Sequence, residues 1–143
     1  METCLETFRK AIEQLMRLSM HDFWRYAKSQ GLSMSQMMAL RQIHYRDDCN
    51  ISSISDELGI TSAASSQLLD RLVQQGLVIR SEHPQDRRNK QLALSEKGQR
   101  ILQEGLQARQ RWIQTLIERL NDEERQKVSE ALHILIEKTT NLH

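Results

Sequence analysis

Thr61-Ser-Ala-Ala-Ser-Ser-Gln-Leu-Leu-Asp-Arg-Leu-Val-Gln-Gln75 runs into Gly76, then into Leu77-Val-Ile-Arg80, His83-Pro-Gln-Asp-Arg-Arg-Asn89 and Gln91-Leu-Ala-Leu94. The first segment spaces Leu68, Leu69, Leu72 and Val73 as one apolar side of a helix, and Gly76 is placed to stop it. Two short β-branched or leucine-rich runs around a Pro-containing polar loop predict a hairpin. The expected unit is a helix followed by a β-hairpin wing, with Arg87 and Arg88 side by side at the wing tip.

The helix is unusual in its first two turns. They carry only Ser62, Ala63, Ala64, Ser65, Ser66 and Gln67. Small and hydroxylated side chains let a helix approach base edges closely, and Ser, Gln and Ala can meet bases or thymine methyls. Thr61 is placed to cap the first turn.

The residues just before this helix strengthen the expectation. Asn50 should cap a short helix through Leu58, with Ile51, Ile54 and Leu58 inward and Gly59 ending it. Two short helices joined by a glycine turn are a helix-turn-helix, the second being the reading helix. Ser33-Met-Ser-Gln36 is a capping box for a further helix carrying Met37, Met38, Leu40, Ile43 and Tyr45, with Leu32 able to staple onto Met37.

Long helices flank this unit. Leu5, Phe8, Ile12, Leu15, Met16 and Met20 keep helical spacing within an expected helix from Glu2 to Gln30, extended by Phe23 and Trp24. Ser95 should cap a helix to about Leu120, in which Gly98 and Gly105 each cost about 1 kcal/mol relative to Ala. Asn121-Asp-Glu-Glu124 opens a last helix with Val128, Ala131, Leu132, Leu135 and Ile136. The fold class expected is mainly α with a small β-hairpin wing. Residues 33–94 form the winged helix-turn-helix, and 1–30 and 95–143 are dimerisation helices of a single domain. These flanking helices exceed what a winged helix needs for its own core. Pairing two reading helices about 34 Å apart is a reason for a dimer.

Composition bounds the function classes. The chain has 143 residues, 27% charged and 38% hydrophobic, with a formal net charge of +1. A nucleic-acid role therefore needs a local basic patch. Ile60–Lys90 supplies one, with Arg71, Arg80, Arg87, Arg88 and Lys90 against Asp70, Glu82 and Asp86. No apolar run approaches the roughly 20 residues of a membrane span, and no leader is visible, so a cytoplasmic location is expected. Cys4 and Cys49 have no metal-ligand spacing. Histidines at 21, 44, 83, 133 and 143 are scattered, with no nucleophile–base pair or phosphate loop. Neither an enzyme, a metal nor a cofactor is expected.

The chain resembles the MarR family of regulators. The resemblance rests on Leu58-Gly59, Leu68-Leu-Asp-Arg-Leu72, Gly76-Leu-Val-Ile-Arg80, the wing motif Asp86-Arg-Arg88 and Leu92-Ala-Leu94-Ser-Glu-Lys-Gly98, in order and spacing. It implies a homodimer on a palindromic operator, more in the manner of a repressor than an activator, released by a small-molecule or oxidant signal. Arg88 matches the wing arginine that enters the minor groove, and Asp86 the acid that holds it and shapes the loop. Arg87 is a candidate phosphate contact. Arg71 matches a recognition-helix arginine, on a phosphate or in an ion pair near Asp70. Ser62, Ala63, Ser66 and Gln67 would face the major groove. Ser65 departs from the pattern, standing where the family has an apolar residue under the helix, so a less rigid seat is expected there.

The resemblance also implies a ligand pocket where the dimer helices meet the winged helix. Met20, His21, Trp24, Met38, Arg41 and Tyr45 are its candidate lining, with Arg41 or His21 to pair with a small aromatic or anionic effector. Cys4 is followed by Glu6, which does not favour a thiolate, so it reads as an unreactive cysteine. The alternative function is a winged-helix protein-interaction module with the wing as a charged rim and no specific operator.

Overall fold

Four helices begin with reciprocal capping boxes: Thr3 with Glu6, Ser33 with Gln36, Asn50 with Ser53 and Asn121 with Glu124. In each, a side-chain oxygen accepts one orphan backbone N–H, and the third helical residue returns the favour. The computed structural model describes residues 3–88 and 90–140. Its elements are α1 (Cys4–Ser29), α2 (Met34–Tyr45), α3 (Ile51–Leu58), α4 (Ser62–Gln74), β1 (Val78–Glu82), β2 (Lys90–Leu94), α5 (Glu96–Arg119) and α6 (Asp122–Thr139). The mainly helical winged helix-turn-helix expected from the sequence is the fold observed. The expected helix start at Glu2 and the loop residue Asn89 lie outside the described residues. No described helix is long and apolar enough to cross a membrane.

The strands extend further toward the wing tip than the apolar runs indicate. Val78 pairs Leu94, Arg80 pairs Leu92, and Glu82 still pairs Lys90 in an antiparallel register. Backbone pairing needs no apolar side chain, so the alternation underestimates the ladder.

The chain divides into two compact units, Met1–Arg109 and Gln110–His143. In the first, one core joins Phe23 and Ala27 of α1, Met37, Leu40 and Ile43 of α2, Ile54 of α3, Leu69 and Leu72 of α4, Leu92 of β2, and Ile101 and Leu102 of α5. Leu32 and Met37, the expected staple, both belong to it. Polar contacts tie α1 to α5: Tyr26 Oη donates to Glu104 Oε2 at 2.6 Å, and Arg109 Nε donates to Ser19 Oγ at 2.6 Å. Burial first, then the bond to Glu104 and its charge, push the Tyr26 phenol well above its usual range, with Arg100 opposing.

Only Phe23 and Ala27 of α1 are buried, so most of its apolar stripe is uncovered. Leu5, Phe8, Ile12, Leu15 and Met16 are exposed. In the second unit, Ile113, Leu116 and Ile117 of α5 and Val128, Leu132, Leu135 and Ile136 of α6 are exposed too.

Gly98 and Gly105 are sites of close approach rather than simple weak points. A Cβ on Gly98 would overlap the Leu77 backbone carbonyl, and one on Gly105 would meet Met37 Cε at 2.8 Å and the Phe23 and Tyr26 rings at 3.2 Å.

Candidate nucleic-acid interface

The turn between α3 and α4 follows from Gly59, whose φ of 63° is a left-handed conformation that suits glycine. Ile60 N–H donates back to Ser55 O at 3.1 Å, and Thr61 Oγ1 then accepts Ala64 N–H at 3.1 Å to open α4. Ser65 is fully buried, and its hydroxyl donates to Ile51 O at 3.2 Å, beside the Ser55 hydroxyl at 2.9 Å on the same carbonyl. The expectation of a loose seat is corrected here. A hydrogen bond to the first turn of α3 stands where an apolar contact was expected.

The buried side of α4 is Ser65, Leu69 and Leu72, half-buried at Ser66, Leu68 and Val73. The opposite side is an exposed row of Ala63, Gln67, Asp70 and Gln74, flanked by Ala64 and Arg71. Ser62 is exposed at the helix start. Of the four residues expected to face the major groove, Ser62, Ala63 and Gln67 are fully outward and Ser66 lies at the edge of the row. Asp70, Ala64 and Gln74 were not among the sequence-based candidates, although the i, i+4, i+7 spacing from Ala63 points to Gln67 and Asp70.

The far end of α4 is held by the start of α5. Leu77 N–H donates to Leu72 O at 2.9 Å across Gly76, whose φ is 71°. Ser95 Oγ donates to Gly76 O at 2.5 Å and accepts Gly98 N–H at 3.0 Å, while Lys97 Nζ donates to Gln75 O at 3.2 Å. The Ser95-Glu-Lys-Gly98 motif thus caps α5 and satisfies carbonyls left over at the end of α4.

The wing is anchored at its base. Leu92 N–H donates to Cys49 O at 3.2 Å and Gln91 Nε2 to Asp47 O at 3.1 Å. His83 lies 3.3 Å from Asp48 through Nε2 and accepts Gln85 N–H at 3.2 Å through Nδ1. These groups surround a cavity of about 110 Å³ lined by Asp48, Cys49, Asn50, His83, Lys90 and Gln91. Cys49 is buried there, and burial pushes its thiol above the ordinary range, with Arg46 pulling the other way. Cys4 is exposed. Among the described residues, no group of three or more His, Cys, Asp or Glu side chains could hold a metal ion.

At the wing tip, Asp86 Oδ1 accepts Arg88 N–H at 3.0 Å. The acid shapes the turn through the arginine's backbone rather than by gripping its guanidinium. Arg87 and Arg88 are exposed, and their guanidinium groups make no ion pair among the described residues. Arg71 is likewise exposed and outside any ion pair; Asp70 pairs instead with Arg80 Nη1 at 2.7 Å. Of the two roles expected for Arg71, a phosphate contact or an ion pair near Asp70, the ion pair is not formed among the described residues.

The candidate ligand residues lie on α1 and α2. Arg41 is half-buried with its guanidinium carbon 5.6 Å from the centre of the Tyr45 ring, a cation–π contact on an exposed tyrosine. Met20 and Met38 are half-buried. Trp24 is exposed, and His21 points to Asp22 at 3.3 Å. None of the six lines the cavity beside the wing.

Comparison with known proteins adds to this geometry. Residues 32–90 match the model of a family described as MarR family. The HTH-type transcriptional regulator YfiV of Bacillus subtilis is 32% identical over 104 residues, 73% of this chain and 65% of that protein. YwhA of the same organism, also described as an HTH-type transcriptional regulator, is 34% identical over 60% of this chain and 62% of its own length. The chain thus spans a little under two thirds of the length of these relatives. Among solved structures, the transcriptional regulator Tm0710 from Thermotoga maritima superposes with a TM-score of 0.86 at 20% identity, covering 94% of each chain. A mutant of S. aureus MepR bound to an oligodeoxyribonucleotide gives 0.71 at 21% identity, over 96% of this chain and 99% of that one.

Proposed function

Residues 32–90 match the MarR family, and on that premise we propose that the chain is a MarR-family winged helix-turn-helix regulator, a homodimeric, sequence-specific DNA-binding regulator of transcription, acting in the cytoplasm as a repressor. The observation that carries this reading is the pairing of an outward α4 row with a wing whose Arg87 and Arg88 are exposed and outside any ion pair among the described residues. Ser62, Ala63, Ser66 and Gln67 enter the major groove. Small side chains allow the close approach, and Gln67 supplies an amide that can pair with adenine. Arg88 enters the adjacent minor groove, where narrow A·T-rich segments concentrate negative potential, and Asp86 fixes the turn that presents it. Arg71 and Arg87 neutralise phosphates. With few bidentate readers, much of the affinity comes from charge.

The protein should therefore bind one palindromic duplex from its own upstream region well above scrambled DNA by fluorescence anisotropy. The two phosphate-neutralising arginines of each protomer, four in the dimer, predict a loss of about a hundredfold between 50 and 200 mM salt. Equal, weak binding to every duplex would instead favour a protein-interaction module with the wing as a charged rim.

The homodimer rests on the uncovered apolar faces. Leu5, Phe8, Ile12 and Leu15 in one unit and Val128, Leu132 and Leu135 in the other are too many to leave in water in a stable protein. Sedimentation should give twice the chain mass. Leu132→Asp combined with Leu135→Asp should lower it to that of the monomer and abolish operator binding; an unchanged dimer would place the interface elsewhere. A small aromatic or anionic effector releases the operator, with Arg41 and Tyr45 as its anchor and Met20, His21, Trp24 and Met38 around it.

A further inference from the structure

The outward row of α4 contains an acid. Asp70 is on the same side as Ala63, Gln67 and Gln74, and its side chain is 54% exposed. A bare carboxylate there would face the phosphates of any bound duplex. Its charge is met by Arg80, two residues into β1, with Nη1 2.7 Å from Asp70 Oδ1. The Arg80 side chain is only 28% exposed, and its Nε is shielded and bonds nothing among the described residues. The guanidinium has thus given up solvent on one side, and its bond to Asp70 is its ion pair. Helix α4 and strand β1 are joined by a tight turn at Gly76 and Leu77, so the backbone links them at one end only. Beside the core that Leu69 and Leu72 share with Val78 and Leu92, the ion pair is a directional polar link, one turn back along the helix.

We propose that Asp70 and Arg80 are positioning residues: their ion pair braces the wing against the recognition helix and sets the angle at which the two enter adjacent grooves. This rests on the regulator reading above. The pair acts on DNA through geometry, because each charge is spent on the other. Partly exposed ion pairs contribute little to stability, so the brace is separable from folding.

The sign of one substitution distinguishes the brace from simple electrostatics. Asp70→Asn removes a negative charge from the side that meets DNA, and charge alone predicts tighter binding. The brace predicts weaker operator binding, by about tenfold. Arg80→Gln should lose a similar factor, and the double variant no more than the larger single loss, because both remove one interaction. The Asp70→Asn variant should keep the parent's salt dependence and melt within a few degrees of it. In the free protein, amide hydrogen exchange over 78–82 and 90–94 should quicken in both variants while α2 is unchanged.

Tighter binding by Asp70→Asn would overturn the brace. So would additive losses with a flattened salt dependence in Arg80→Gln alone, which would make Arg80 a phosphate contact. If the parent protein prefers no duplex, the regulator reading fails, yet the exchange measurement still decides whether the brace exists. Unchanged exchange in the hairpin of both variants would remove it.

Discussion

Gly98→Ala is expected to lower the melting temperature by about 7 °C, the largest loss of stability among the glycine-to-alanine variants. Helix propensity argues the other way. Alanine inside a helix is favoured over glycine by about 1 kcal/mol, so an ordinary helical glycine gains from this change. At Gly98 the added methyl would overlap the backbone carbonyl of Leu77. That carbonyl cannot step aside cheaply. It accepts Ser95 N–H at 3.0 Å, and its residue is 2% exposed in the core. Overpacking against fixed backbone costs about 3 kcal/mol, the upper end of the usual range, and outweighs the gain in propensity. Gly105→Ala is the control. There the closest atom is Met37 Cε, the far end of a flexible side chain, so the variant should melt much closer to the parent. Differential scanning calorimetry on both decides it; a Gly98→Ala protein as stable as the parent would mean that α5 shifts freely against β1.

That contrast marks where the sequence is legible. Capping boxes are local, so Ser33 with Gln36 and Asn121 with Glu124 can be read from four consecutive residues, and both are present as expected. The outer and inner sides of α4 follow from the spacing of Leu68, Leu69, Leu72 and Val73, and the wing from Pro84 and its flanking runs. The features that escape all depend on partners distant in sequence. Ser65, placed under the helix by the family resemblance, reads as a loose seat until Ile51 O, fourteen positions earlier, is found to accept its hydroxyl. Gly98 reads as a weak helix former until the Leu77 carbonyl lies against it. Asp70 has a neighbouring arginine at 71 in the sequence, but i,i+1 residues of a helix do not face each other, and its partner is Arg80. The candidate ligand residues are legible as types only, since spacing alone does not bring two helices' side chains together. Arg41 and Tyr45, four apart on one helix, are the pair that spacing does predict to meet, and they do.

Arg88→Ala should weaken operator binding by about 100-fold while leaving the melting temperature unchanged. The stability half of this follows from exposure: Arg88 makes no ion pair among the described residues, so its side chain supports nothing in the free protein. The affinity half follows from two-fold symmetry. Each wing would lose roughly 1.4 kcal/mol, a tenfold factor, and a homodimer loses it twice. Arg88→Lys separates charge from shape. A lysine keeps the attraction to the groove's potential but lacks the flat, weakly hydrated guanidinium that a narrow groove accepts, so it should recover only part of the loss. Asp86→Ala should resemble a milder Arg88→Ala, because the carboxylate acts on the arginine's backbone N–H and loosens the turn rather than removing the charge. Where the loss falls identifies the contact. A larger loss on operators with an A·T-rich segment under the wing than on G·C-substituted ones places Arg88 in the minor groove; equal losses on both, with a salt dependence shallower by about two, make it a phosphate contact on each protomer. Unchanged affinity on every duplex would take the wing out of recognition and leave α4 to carry it alone.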